Sequence, residues 1–196
     1  MDQFFLKLEK NRQTFDQGRA LIAQQFSEQI VSGDVAVVWS DRGLAIIVSS
    51  ERLFLSGSDA LSDEGKILLD KLGDSLRTSF FEYEVLVEGH TDNQSLAILK
   101  WSSDWEFSFA RALSVTLYLT EDGRLNIQKL SPIGLGKSRP RSSNDTKEGR
   151  RLNRRIEIVV SPVVSWCPEI AIAEQDLSEA VLVGQESPEE TEGGAS

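Results

Sequence analysis

Arg111 is the residue most in need of an explanation. Residues 107–120 are almost wholly apolar or small, and Arg111 carries the only charge among them. At ~100° per residue on a helix it lies beside Phe107, Val115 and Tyr118, so its guanidinium leaves bulk water unless the side chain snorkels outward. A cation in that setting needs a partner. Asp92 is the natural candidate, because it follows a strand-like stretch in a loop, where backbone faces a ligand easily and a neighbouring helix can come close. Two readings stay open on these residues. Asp92 and Arg111 form a plain salt bridge that holds the loop, or they face a ligand.

Other chemistries find less support. His90 stands two residues before Asp92, but a metal centre needs three or four convergent ligands. The chain has one His and one Cys, Cys167, far apart in sequence, so no metal site is expected. No Gly-x-Ser-x-Gly elbow marks a serine nucleophile, and neither catalytic residues nor a cofactor are expected. Residues 137–155 hold Lys137, Arg139, Arg141, Lys147, Arg150, Arg151, Arg154 and Arg155 against only Asp145 and Glu148. Such a patch could meet nucleic-acid phosphates, or, in an assembly module, a partner protein or another anionic polymer held through Arg139 to Arg155. Aromatic residues do not interleave with it, so a solvated face that meets acidic groups elsewhere in the domain is preferred, and no nucleic-acid partner is expected.

The bulk numbers set bounds on what carries these residues. A chain of 196 residues with 40% apolar side chains supports one compact domain plus flanking segments. The net charge of -10 misleads, because eight of the 31 acidic residues lie in 161–196 with no Lys or Arg, leaving 23 acidic against 21 basic residues in 1–160. That last segment is read as an acidic, disordered tail. A single cysteine excludes an intrachain disulfide. Charges scattered through the first thirty residues exclude a signal-peptide core or a membrane span there.

The elements that must position Asp92 and Arg111 can be read in order. Leu8, Phe15, Ile22 and Phe26 share one helical stripe in an amphipathic helix over residues 1–32, which pads the domain or pairs with a second copy; padding is preferred. The runs 35–39 and 44–48 form a hairpin, 53–61 a strand end and exposed loop, and Ser62 opens a helix to about residue 79. Alternation from Tyr83 to Val87 gives a strand that ends at Gly89, followed by a loop over 89–102. Ser103 and Glu106 make a Ser-x-x-Glu cap, so a helix carrying Arg111 starts there and ends near Gly123. A strand over 127–133, a helical turn over 147–152 and a last strand over 155–160 complete the pattern. The fold class expected is α+β: a two-layer sandwich with a mixed β-sheet and helices on one face, spanning 34–160 after the N-terminal helix.

Several spaced motifs, in order, resemble the OmpA/MotB C-terminal domain family of peptidoglycan-binding modules. Val87-Glu88-Gly89-His90-Thr91-Asp92-Asn93 matches its Gly-His-Thr-Asp signature. Trp105 to Ala112 resembles its Leu-Ser-x-x-Arg-Ala helix, and Leu53-Phe54 with Ser56-Gly57-Ser58 its first strand and loop. Gly134-x-Gly136, Asn144 to Arg150 and Asn153 to Ile158 resemble its closing segments. The resemblance implies that Asp92 and Arg111 grip diaminopimelate of the wall's stem peptide without cleaving it, in a periplasmic or cell-envelope setting. A carboxylate suits its ammonium and a forked guanidinium its carboxylate. Phe54, Thr91 and Asn93 would line the same pocket, and Arg154 and Arg155 would lock the closing strand or meet outer carboxylates of the ligand. Implied partners are peptidoglycan, a second copy of the chain, and a membrane-embedded motor or envelope subunit. Trp105-Glu106 and Asn144 to Thr146 lean toward the flagellar stator, MotB-like branch. Nothing in the chain resembles that branch's membrane helix, and Leu55 stands where many relatives have Asp.

Overall fold

Helix formation at the N-terminus follows the apolar stripe. The structure, a computed structural model, describes residues 3–94 and 101–162, except the side chains of 3–9 and 122. Helix α1 runs Gln3–Gln25 and a short α2 runs Ser27–Val31, with Phe26 at the break between them. Phe15, Ile22 and Phe26 are all buried. Phe15 packs on Trp39, Phe80 and Tyr83, with ring centroids 5.0–5.8 Å apart. Burying each such side chain contributes roughly 1.5–3 kcal/mol. The stripe is therefore consumed inside the chain, as padding requires. Leu8 lies outside the described side chains.

The hairpin is Val35–Ser40 (β1) and Gly43–Ser49 (β2), antiparallel from Val35↔Val48 to Ser40↔Gly43. A four-residue helix, α3 (Ser50–Leu53), follows directly, in a stretch for which the sequence suggested no element. Ser49 caps it by accepting from the Glu51 amide at 3.4 Å, a local hydroxyl bond that competes with further strand pairing. Beyond it Phe54 bridges Leu61, and exposed residues connect the two, as a strand end and loop would. Helix α4 (Asp63–Phe80) starts at its Ser62 cap, and β3 is Val85–His90.

Helix α5 (Asp104–Thr120) starts at Ser103, whose hydroxyl accepts from the Glu106 amide at 3.2 Å. The Glu106 carboxylate reaches back to the Ser102 amide, one residue before the cap itself. Residues 127–129 form a 3-10 turn, so β4 covers Leu130–Gly136, three residues later than expected. Helix α6 (Lys147–Asn153) and strand β5 (Arg155–Val160) end the described chain. The acidic segment expected to be disordered, 161–196, lies outside the described residues from 163 onward, as does 95–100 of the loop after β3.

The five strands form one mixed sheet in the order β1-β2-β5-β3-β4, in which only β3 and β4 run parallel. One face carries Leu44, Ile46, Val48, Val87, Ile156 and Ile158 into a core with Leu69, Leu72 and Leu76 of α4 and Ala112, Val115 and Leu119 of α5. The fold is the α+β sandwich with helices on one face. Two paired glycines decide how close α5 sits. A side chain on Gly89 would lie 2.0 Å from the Ser108 carbonyl oxygen, and one on its β4 partner Gly134 would lie 2.6 Å from the Trp105 carbonyl oxygen. This bare patch lets the helix backbone rest on the sheet, bringing Arg111 to the level of the loop after β3.

Candidate ligand-binding site

Asp92 and Arg111 line one cavity of about 310 Å³, together with Ser50, Glu51, Phe54, Leu55, Ser56, Gly57, Gln94, Phe107 and Arg154. Arg111 is 7% exposed. Its carbon Cζ sits 4.8 Å from the Phe54 ring centroid and 4.1 Å from that of Phe107, and its Nε donates to the Ser58 carbonyl at 2.9 Å. Among the described residues no carboxylate oxygen lies within ion-pairing distance of it. Burial pulls its pKa down to about 10, opposed by the charge of Asp59 and reinforced by that of Arg154. The group stays protonated at neutral pH, held by two rings and a carbonyl instead of a counter-charge.

Asp92 is 3% exposed and its partner is not Arg111. Its Oδ1 accepts from the Gln94 amide at 2.9 Å, an Asx turn that fixes the side chain, and its Oδ2 accepts from Arg154 Nη1 at 2.5 Å. The direct salt bridge with Arg111, one of the two readings left open by the sequence, is therefore replaced by an ion pair with Arg154. Arg154 also donates to Glu51 Oε1 at 2.5 Å. Its position comes from Asn153, fully buried, whose amide accepts from the backbones of Arg141 and Ser142 and donates to Ser142 and Asn144. That knot fixes the turn from α6 into β5 from which Arg154 projects.

The remaining residues expected at the site divide. Phe54 lines the cavity. Thr91 is buried outside its lining, and its Oγ1 has no hydrogen-bond partner among the described residues. Asn93 is exposed, while its neighbour Gln94 lines the cavity in its place. The period-two geometry of strand β3 ends there, so counting side chains along it stops being informative. Arg155 is 3% exposed on the sheet face away from the helices, donating to Glu157 at 2.6 Å and to the carbonyls of Asn153 and Arg139. It locks the closing strand and lies outside this cavity. Glu51 was not singled out in the sequence. The Ser49-Ser50-Glu51 pattern signals a capped turn, but its pairing with a residue 103 positions later has no local signature.

On the Arg155 face, His90 Nε2 lies 3.8 Å from Glu88 and 3.9 Å from Glu157, and neither ring nitrogen has a hydrogen-bond partner among the described residues. These three residues bring potential ligand atoms within 4.8 Å of one another. Each carboxylate is already neutralised, Glu88 by both terminal nitrogens of Arg42 and Glu157 by Arg155. Part of the basic stretch 137–155 is also engaged. Lys137 lies 3.5 Å from Asp104, Arg151 lies 3.5 Å from Asp34, and Arg150 donates to the carbonyls of Asn144 and Asp145. No helix among the described residues is long and apolar enough to cross a membrane.

Comparison with known proteins places the chain in a family. The chain is 31% identical over 120 residues to the uncharacterized protein YtxE of Bacillus subtilis, covering 61% of this chain and 49% of that protein. It is 30% identical over 123 residues to motility protein B of the same organism, covering 63% and 47%. The chain thus spans about half the length of these curated relatives. Among solved structures, a MotB-like protein from Desulfovibrio vulgaris superposes with a TM-score of 0.67 at 29% identity, covering 78% of this chain and 94% of that one. The T6SS cell wall anchor from Pseudomonas aeruginosa superposes with a TM-score of 0.61 at 33% identity, covering 71% and 95%. The model of the OmpA family matches residues 53–154, just over half of the chain and the stretch that holds Phe54, Asp92, Arg111 and Arg154. The chain belongs to the OmpA family.

Proposed function

We propose that this domain binds peptidoglycan without cleaving it, by gripping the free end of diaminopimelate in the stem peptide, and so anchors an envelope assembly of the flagellar-stator type to the wall. One observation carries the reading: Arg111 is a buried, protonated guanidinium with no carboxylate in pairing distance among the described residues, open to a cavity that also contains Asp92. A buried cation left in that state is costly unless a ligand completes it. A carboxylate accepts its forked donors, and an ammonium bound to the same carbon suits Asp92. The two phenylalanine rings supply apolar walls against the methylene chain of the ligand.

The likeness to motility protein B and to a T6SS cell wall anchor supports the anchoring role. The wall is the ligand, so the domain works in the periplasm or envelope, and the anchored partner is a membrane-embedded or envelope subunit. Homodimerisation, where it occurs, leaves the Phe15–Ile22–Phe26 stripe untouched, because that stripe is buried within the chain. Lys137, Arg151, Arg154 and Arg155 of the basic stretch already have carboxylate partners, which favours the wall reading over an assembly module that holds a protein or an anionic polymer through this stretch. The test is retention on purified sacculi of the diaminopimelate and lysine types, for wild type, Arg111→Ala and Asp92→Ala. Wild type is retained on the first type only and both variants are washed off. Full retention of Arg111→Ala ends the reading, and release of soluble muropeptides by the wild type ends its non-catalytic part.

A further inference from the structure

The two ends of the cavity are not equally ready for a ligand. At one end Arg111 meets a carbonyl and two rings. At the other, a cation of the protein itself already spans two carboxylates: Arg154 lies 2.5 Å from Asp92 Oδ2 through one terminal nitrogen and 2.5 Å from Glu51 Oε1 through the other. A zwitterion entering the cavity finds an open place for its carboxylate and a filled one for its ammonium.

Burial differs sharply between the two carboxylates. The Asp92 side chain is 4% exposed and that of Glu51 is 54% exposed, with Arg154 at 27% between them. The buried carboxylate gains most from a ligand cation, because water and salt screen it least. The exposed one is well placed to keep the guanidinium after Asp92 has let it go. Glu51 is held for that task, since α3 begins at the Ser49 cap and the Ser50 amide donates to the Arg154 carbonyl at 3.0 Å.

We propose that Arg154 is a resident competitor for the ammonium subsite, with Glu51 as the carboxylate that retains it when a ligand ammonium takes Asp92. The device rests on the pocket reading above and adds selectivity to it. Displacing Arg154 from Asp92 costs binding energy, and only a ligand that simultaneously seats a carboxylate on Arg111 recovers it. The ligand class is then an ammonium and a carboxylate on one carbon, and a lone amine is refused.

Calorimetric titration of the whole chain with meso-diaminopimelic acid and with cadaverine, the same carbon chain without its carboxylates, tests this. Wild type binds the first and refuses the second. Glu51→Gln weakens diaminopimelate binding by about tenfold, because Arg154 then has only Asp92. Arg154→Gln binds diaminopimelate at least as tightly as wild type and now admits cadaverine. In the Arg154→Gln background the Glu51→Gln penalty shrinks to less than about twofold, since Glu51 acts through Arg154. Should Arg154→Gln fail to fold, Arg154→Lys serves in the same cycle, because one ammonium cannot span both carboxylates, and the penalty falls below about threefold. Loss of diaminopimelate binding in a folded Arg154 variant overturns the proposal, as does an equal Glu51→Gln penalty in both backgrounds. Failure of the pocket reading itself looks different: the wild type takes up no diaminopimelate, or Arg111→Ala binds it as well as wild type.

Discussion

Two clusters in this domain contain the same charges, two carboxylates and two guanidiniums, and pair them in opposite ways. On the sheet face away from the helices, Arg42 forks onto Glu88, and Arg155 pairs with Glu157 while its other nitrogens meet two carbonyls. Each guanidinium there has a carboxylate of its own. At the cavity the distribution is uneven: Arg154 takes both Asp92 and Glu51, and Arg111 takes neither among the described residues. A saturated cluster holds the fold, and the proposed function has the unsaturated one completed by a ligand. The difference lies in pairing and access, not in residue types.

The contrast predicts different failures on removing one cation from each cluster. Arg155→Ala strips Glu157 of its nearest counter-charge and leaves the Asn153 and Arg139 carbonyls without this donor, costing about 3–5 kcal/mol of stability in urea unfolding. Arg111→Ala leaves stability within about 1 kcal/mol of wild type, since a lost hydrogen bond to Ser58 is offset by removing an unpaired buried cation. If the two variants lose stability equally, the distinction between the clusters is wrong.

Acid should attack the saturated cluster next. Burial alone would raise the Glu88 carboxyl, but the Arg42 fork and the adjacent His90 more than reverse this and hold it at about 2 against an ordinary 4.5. The stabilisation is complete above 4.5 and disappears as pH falls through about 2, on the order of 3 kcal/mol over that window. His90, whose pKa burial pushes below the ordinary 6.5, adds a loss of the same sign at higher pH, because below 6.5 the unfolded chain takes up a proton that the folded one refuses. Stability measured between pH 2 and 7 should fall in two stages, and His90→Gln should flatten the upper one. A flat profile between pH 7 and 2 contradicts the account.

Smaller effects sharpen the geometry that joins the clusters. Gly89→Ala forces a methyl against the Ser108 carbonyl, lifting α5 from β3 at a cost of about 1–3 kcal/mol, and its diaminopimelate affinity falls with the displacement of Arg111. Ser103→Ala removes the α5 cap for about 1 kcal/mol, measured by thermal unfolding.

Much of this was legible in the sequence because it is local. The Ser62 and Ser103 caps, the hairpin, and the alternating strand that the structure carries one residue past Gly89, to His90, follow from short-range hydroxyl chemistry and side-chain period. Arg111 announced itself as a charge in an oily stretch, and Asp92 as a carboxylate just past a strand. What stayed hidden was which partner each would take. The Asp92–Arg154 pair joins residues 62 positions apart and Arg154–Glu51 joins 103, and charge type alone does not choose among guanidiniums that the fold brings together. The α3 turn was missed for a related reason, since a four-residue helix has no period to detect. Gln94 in place of Asn93 reflects the end of strand geometry just before them.

The most direct test of the central claim is a structure of the domain bound to meso-diaminopimelic acid. The account predicts a ligand carboxylate forked onto Arg111 at ~2.7–2.9 Å with the neighbouring ammonium on Asp92. A ligand bound elsewhere, or in this cavity with Arg111 untouched, contradicts it.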